Sequence, residues 1–108
     1  MNAPFAVIVH LWIRLDLEDE FAEYEAEILN ELPRFEARLV LRVRNEHFFE
    51  GGESPFEVHV LEFPDSEIYQ EFLADPTLEK IRENAQDLIT ESRVWTDLQV
   101  IDEEDELC

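Results

Sequence analysis

Apolar and polar residues alternate along four stretches of the chain, and two further stretches carry apolar residues at spacings of three and four. The first alternating stretch is Phe5 to Leu15. One face of an extended strand collects Phe5, Val7, Val9, Leu11, Ile13 and Leu15, and the other collects Ile8, His10, Trp12 and Arg14. The first face needs a hydrophobic core. The second is half apolar and half chemically capable, so what covers it bears on function.

Asp16 is placed to cap a helix whose apolar residues Leu17, Phe21, Tyr24, Ile28, Leu29 and Leu32 form one stripe, and Pro33 ends it. Asp16 to Glu31 holds eight carboxylates and no basic residue, which predicts a solvated outer face beside one buried stripe. From Ala37 alternation returns, with Leu39, Leu41 and Val43 on one side and Arg38, Val40, Arg42, Arg44 and Glu46 on the other. Gly51-Gly52 marks a hairpin turn, and a third strand runs from Pro55 to Phe63. A short loop centred on these glycines sets Val43 opposite Val60, Asn45 opposite Val58, Arg44 opposite His59 and Arg42 opposite Leu61, a register in which the apolar sides agree.

Pro64-Asp65-Ser66 opens a second helical region with Ile68, Tyr69, Phe72 and Leu73 inward; Asp75-Pro76 restarts it, with Leu78, Ile81, Ala85, Leu88 and Ile89 as the next stripe. Tyr24 and Tyr69 fit these stripes as core residues. The fourth strand is expected from about Ser92 to Ile101, with Val94, Leu98 and Val100 on one side and Arg93, Trp95, Asp97 and Gln99 on the other. Residues 102–108 form an acidic C-terminal tail, expected to be disordered.

The order is β-α-β-β-α-β: an α+β chain, ferredoxin-like, with one domain over residues 1–101. Right-handed crossovers put both helical regions on one face of a four-stranded antiparallel sheet. The other face, expected to hold Ile8, Trp12, Val40, Leu61, Phe63 and Trp95, is a larger apolar patch than a soluble monomer tolerates. A two-fold homodimer packed sheet to sheet covers it economically.

Charge narrows the partners. The net charge is −20, from 28 acidic residues against seven Arg and one Lys, which argues against nucleic acid and against an anionic membrane surface. Such a balance also suits high salt, and then the melting temperature rises with added KCl. Cys108 is the only cysteine, so no internal disulfide or thiolate metal cluster forms, and a reducing, cytoplasmic setting follows. The run Phe5–Ile13 has no basic residue before it, is interrupted by His10 and is too short to span a bilayer; it reads as a strand, not a signal peptide. Glycine occurs only at 51 and 52, and Ser54, Ser66 and Ser92 lie in no nucleophile-elbow pattern, so nucleotide binding and serine hydrolysis are set aside.

The run Glu57-Val58-His59-Val60-Leu61-Glu62-Phe63-Pro64-Asp65-Ser66-Glu67, continuing to Phe72-Leu73-Ala74-Asp75-Pro76, resembles the third strand of the dimeric α/β-barrel superfamily, its E-F-P-S-x-E lead-in to the second helix, and the aromatic-x-x-Ser/Asp-Pro break within that helix. The resemblance in layout covers about residues 5 to 101 and points to the superfamily's small, functionally unassigned branch. Beside that branch stand antibiotic-biosynthesis-type monooxygenases, muconolactone-type isomerases and haem-degrading enzymes. It implies a homodimeric barrel and a small, often aromatic ligand bound between sheet and helices or within the barrel, in many members without a cofactor. Asp65 to Thr90 contains no histidine to ligate iron, so no haem is expected, and no catalytic residue is carried over.

By strand parity the uncovered face is expected to carry Arg14, Arg38, Arg42, Arg44 and Arg93 with His10 and His59. The cluster suits a carboxylate or enolate held by guanidinium groups; the competing account pairs these arginines with Glu46, Glu57, Glu62 and Asp97, or with the partner subunit's acidic helix. His10 and His59 are the candidate general bases, against a role as satisfied interface histidines; His47 is expected to be exposed. Trp12 and Trp95 are candidates to stack on an aromatic ligand, or to anchor an interface. With Arg14, Arg42 and Arg44 they make up the expected ligand-binding set. Glu57 and His59 lie two apart on one strand, but no third metal ligand can be placed, so no metal and no cofactor are expected. The reading is a small-metabolite-binding homodimer acting on an anionic or aromatic compound, by cofactor-independent oxygenation or isomerisation; the alternative is a non-catalytic ligand-sensing or assembly module.

Overall fold

The computed structural model describes residues 4–98 and residue 101. Its elements are β1 (Phe5–Ile13), a 3-10 turn (Leu15–Leu17), α1 (Glu18–Glu31), a second 3-10 turn (Leu32–Phe35), β2 (Arg38–Arg44), β3 (Glu57–Phe63), α2 (Ser66–Ala74), α3 (Pro76–Asn84) and β4 (Ile89–Leu98). The strands form one antiparallel sheet in the order β2-β3-β1-β4. This is the ferredoxin-like arrangement. Gln99, Val100 and the acidic tail with Cys108 lie outside the described residues.

Local chemistry explains where α2 and α3 begin. Asp65 accepts a hydrogen bond from the Ile68 amide at 2.9 Å and Asp75 from the Leu78 amide at 3.1 Å, so α2 and α3 are each capped by the aspartate expected, with Pro76 in the first turn of α3. Asp16 caps nothing. It lies within the first 3-10 turn and takes Arg14 Nη2 at 3.2 Å instead, while Leu17 holds the cap position of α1 without a side-chain bond. Pro33 falls in the second 3-10 turn, which continues directly from α1, and Glu36, with φ of 53°, swings the chain into β2.

All three α-helices cover the face of β1 that carries Val7, Leu11 and Ile13. Val7, Leu61 and Phe63 pack with Leu32, Tyr69, Phe72 and Leu78, and Leu11 and Ile13 pack with Phe21 and Phe56. Five ring contacts tie Phe5, Phe35, Phe63, Tyr69 and Phe72 together with centroids 5.1 to 5.4 Å apart, or 6.5 Å for the stacked Tyr69–Phe72 pair.

The β2–β3 hairpin is turned over relative to the expectation. Val9 pairs with His59 and Leu11 with Glu57, so the Glu57, His59, Leu61 and Phe63 side of β3 faces the helices, while Val58 and Val60 face outward. Leu61 and Phe63 therefore belong to the core and not to the uncovered face. The hairpin register is also displaced by two residues, with Val43 opposite Val58, Arg42 opposite His59 and Arg44 opposite Glu57. A shift of two keeps the grouping of side chains within the hairpin, so Arg42 and Arg44 travel with His59 to the helix side. A bulge between Leu39 and Leu41 lets Leu39 pack inward all the same, leaving Leu41 and Val43 on the outer face. Gly51-Gly52 is not a tight turn: the two lie in a longer connection, Asn45 to Phe56, with Gly51 at φ of 82°.

Candidate active site between sheet and helices

A cavity of about 290 Å³ lies between the inner face of the sheet and the helices. Val7, Val9 and Leu11 of β1 form its floor and Ile28, Leu29 and Leu32 its α1 wall; α2 and α3 supply Tyr69, Phe72 and Arg82, and β4 supplies Ser92 and Val94. This near-continuous apolar lining is interrupted by Glu25 and His59, the only groups in it that come from a buried charged cluster.

That cluster is built in two layers. Glu57, on β3, is 1% exposed, and both its oxygens are occupied. Arg42 Nε donates to Oε1 at 2.9 Å and its Nη2 to Oε2 at 3.1 Å, while Arg44 donates to Oε2 through Nε at 2.7 Å and through Nη2. Arg44 also lies over the Phe56 ring, 4.7 Å from its centroid. Burial alone raises the Glu57 carboxyl, but hydrogen bonds from His59, Arg42 and Arg44 outweigh it and hold the group down at about 2. Glu57 is thus a fixed anion.

The second layer faces the cavity. His59 Nε2 lies 2.8 Å from Glu57 Oε1 and 3.2 Å from Glu25 Oε2, so its N–H is shared between an anchored carboxylate and one that lines the cavity. Burial pushes the Glu25 carboxyl up, and the charge of Glu57 adds to that, against the opposing effects of His59, Arg42 and Arg44. The result is a carboxyl of enhanced basicity, 4% exposed, aimed into an apolar space and held by a histidine that is itself fixed. No buried side-chain nitrogen or oxygen among the described residues lacks a partner.

Glu25 is the third group that a metal site at Glu57 and His59 needs, and one ligand atom from each of the three lies within 4.8 Å of the others. The donor set nevertheless does not fit a divalent cation. Glu57 spends both oxygens on guanidinium groups, and a cation beside it would sit against the charges of Arg42 and Arg44.

The expected site residues divide between the two faces of the sheet. His59, Arg42 and Arg44 meet on the helix side, in the cluster above. His10 and Trp95 stay on the uncovered face, with ring centroids 4.5 Å apart, and Trp12 is on that face too but buried, its Nε1–H donating to Gly52 O at 3.2 Å and Arg93 stacked over it at 5.0 Å. Arg14 lies beyond β1, and Arg38 and Arg93 pair with Glu62 and Glu91. The single cluster of five arginines therefore does not form. His47 is exposed, as expected.

Glu25 and Arg82 are the residues the sequence reading passed over. Glu25 carried a usable signal: with Phe21, Ile28 and Leu29 it falls at i, i+4, i+7 and i+8, a carboxylate on the buried stripe of α1. Arg82 carries the matching signal in α3: with Leu78 and Ala85 it falls at i, i+4 and i+7, a guanidinium on that helix's apolar stripe.

The family described as a domain of unknown function, DUF1330, matches residues 7–96. Solved structures of similar fold include a protein of unknown function from Rhodopseudomonas palustris, with 17% identity, a TM-score of 0.75 and coverage of 94% of this chain and 85% of that one. A candidate antibiotic biosynthesis monooxygenase from Bacteroides thetaiotaomicron has 20% identity and a TM-score of 0.67, covering 91% and 90%. A NIPSNAP-like domain protein from Burkholderia xenovorans has 19% identity and a TM-score of 0.66, covering 93% and 88%. No match is found among curated proteins.

Proposed function

This chain belongs to the DUF1330 family, and we propose that it binds a small, largely apolar metabolite in the sheet–helix cavity and moves a proton on it with Glu25. One observation carries the reading: a buried carboxyl of raised basicity lines an apolar cavity while a histidine, anchored through Glu57 to Arg42 and Arg44, holds it in place. Residues shaped only for packing do not require this arrangement, because a buried carboxyl costs stability that an apolar side chain at the same stripe position does not.

The chemistry that fits is removal of a proton from carbon or oxygen next to a carbonyl or aromatic system. Glu25 accepts the proton, His59 Nε2–H stabilises the carboxyl through the transfer, and the apolar walls keep water from competing for it. Returning the proton at another carbon completes an isomerisation. Alternatively, the carbanion or phenolate passes an electron to dioxygen, the first step of a cofactor-independent oxygenation. The fold shared with the Bacteroides protein supports keeping oxygenation beside isomerisation.

The working form proposed is a cytoplasmic homodimer. Leu41, Val43 and Trp95 are 53%, 46% and 41% exposed on the uncovered sheet face, and a second copy packed sheet to sheet removes them from water. Cys108 as sole cysteine supports the cytoplasmic setting. Among the described residues, no helix is long and apolar enough to cross a membrane.

Solvent deuterium incorporation at the benzylic carbon of phenylpyruvate tests the proton transfer. Wild type is expected to accelerate it and Glu25→Gln to abolish the acceleration. Binding of phenylpyruvate in the cavity with no acceleration over buffer would sink the catalytic reading and favour the ligand-sensing module.

A further inference from the structure

In a chain of seven arginines and 28 acidic residues, pairing is the expected state of every guanidinium, and six of the seven do reach an Asp or Glu carboxylate. Arg82 is the exception among the described residues. Its one hydrogen bond runs from Nη2 to the Leu73 carbonyl at 2.8 Å, across the gap between α3 and the end of α2. Leu73 and Arg82 both line the cavity, so the unpaired guanidinium stands at its wall.

Two phenols connect Arg82 to the rest of the site. Both phenols line the same cavity; the charge of Arg82 bears on Tyr24 and Tyr69, and that of Glu25 bears on Tyr24. The cavity therefore carries a cation at Arg82 and a carboxyl at Glu25 beside His59, with Val7, Val9 and Leu11 beneath. A ligand complementary to this layout carries an anion at one end, an apolar body and a transferable proton at the other.

Resting on the reading of the cavity as the ligand site, we infer that Arg82 is its anion receptor and that the natural ligand is a small monocarboxylate with an apolar body. One guanidinium offers two parallel N–H groups to one carboxylate. Polyanions are disfavoured: a single cation cannot offset several negative charges against a protein of net −20. The carboxylate end also fixes which carbon reaches Glu25, so Arg82 sets orientation as well as affinity.

Phenylacetate and its uncharged methyl ester serve as probes, titrated into the full chain with amide chemical shifts as the readout. Wild type is expected to bind the acid at least about tenfold more tightly than the ester, equivalent to about 1.4 kcal/mol, with shifts at Val9, Leu11 and Tyr24. Arg82→Gln is expected to erase that preference, and Arg82→Lys to restore part of it, which separates loss of charge from loss of the bond to Leu73. Equal binding of acid and ester by wild type, or an unchanged preference in Arg82→Gln, overturns the inference while leaving the cavity as a site. Absence of cavity shifts with both probes overturns the cavity reading and this inference with it.

Discussion

Glu57 offers the sharpest test of how the buried cluster is held. Replacing it by Gln keeps its shape and one acceptor oxygen, so His59 retains a partner, but Arg42 and Arg44 lose their shared anion. A carboxyl whose ordinary 4.5 falls to about 2 in the folded chain contributes about 3 kcal/mol of stability. Because the folded value is depressed, that stabilisation is fully present above about pH 4.5 and is lost as the pH falls through about 2. Urea unfolding of wild type and Glu57→Gln should therefore differ by about 3 kcal/mol at neutral pH, and the gap should close towards pH 2. The difference between the two proteins is the quantity to follow. Acidification also neutralises the other carboxylates of a chain carrying −20, which relieves repulsion and acts with the opposite sign in both proteins alike. A gap as wide near pH 2 as at neutrality, or no gap at neutrality, would refute the assignment of Glu57 as the anchored anion.

Glu25 behaves in the reverse sense. Its folded value is raised, so ionising it weakens the fold as pH climbs above the usual Glu range; Glu25→Gln should be more stable than wild type at neutral pH and show no advantage in acid, measured by the same unfolding curves. Proton transfer needs the ionised form, so the deuterium-incorporation rate should rise with pH through a midpoint above 4.5 and lose that profile in Glu25→Gln. Trp12→Phe removes the donor to Gly52 O and should cost about 1–2 kcal/mol by urea unfolding, with phenylpyruvate binding unaltered because Trp12 lies on the opposite side of the sheet from the cavity. Trp95→Glu places a charge on the uncovered face and should convert the proposed dimer to monomer by sedimentation velocity; wild type sedimenting as a monomer at micromolar concentration would end the sheet-to-sheet proposal.

How much of this was legible in the chain depends on which signal each element carries. The fold was readable because its determinants are local: Asp65 and Asp75 cap the helices that follow them, and the alternation in β1 is unambiguous. β3 is different, because its two parities make competing claims. Val58 and Val60 offer two small apolar side chains on one side; Leu61 and Phe63 offer two larger ones on the other, but in company with Glu57 and His59. Weighing polarity alone sends the Val side inward. The folded chain sends the bulkier pair inward, where Phe63 is 1% exposed, and buries Glu57 and His59 along with it. Each fully buried large side chain is worth about 1.5–3 kcal/mol, and the charges that follow it inside are tolerated because Arg42 and Arg44 come too.

The same inversion explains why the candidate site was only half visible. Residue type marks His59, Arg42 and Arg44 as chemically capable, but strand parity alone groups them with His10, Trp12 and Trp95, whose outer face they do not share. Once the hairpin is turned, the stripe of α1 becomes informative in a way that a helical wheel by itself is not. Against an apolar strand a carboxylate among Phe21, Ile28 and Leu29 has to stay at the exposed edge of the stripe; against His59 it can be buried as a hydrogen-bonding partner. Helix and strand must therefore be read together at the level where they touch. Glu25 gains its meaning from a residue far along the chain, and that long-range pairing depends on the hairpin orientation that periodicity left undecided.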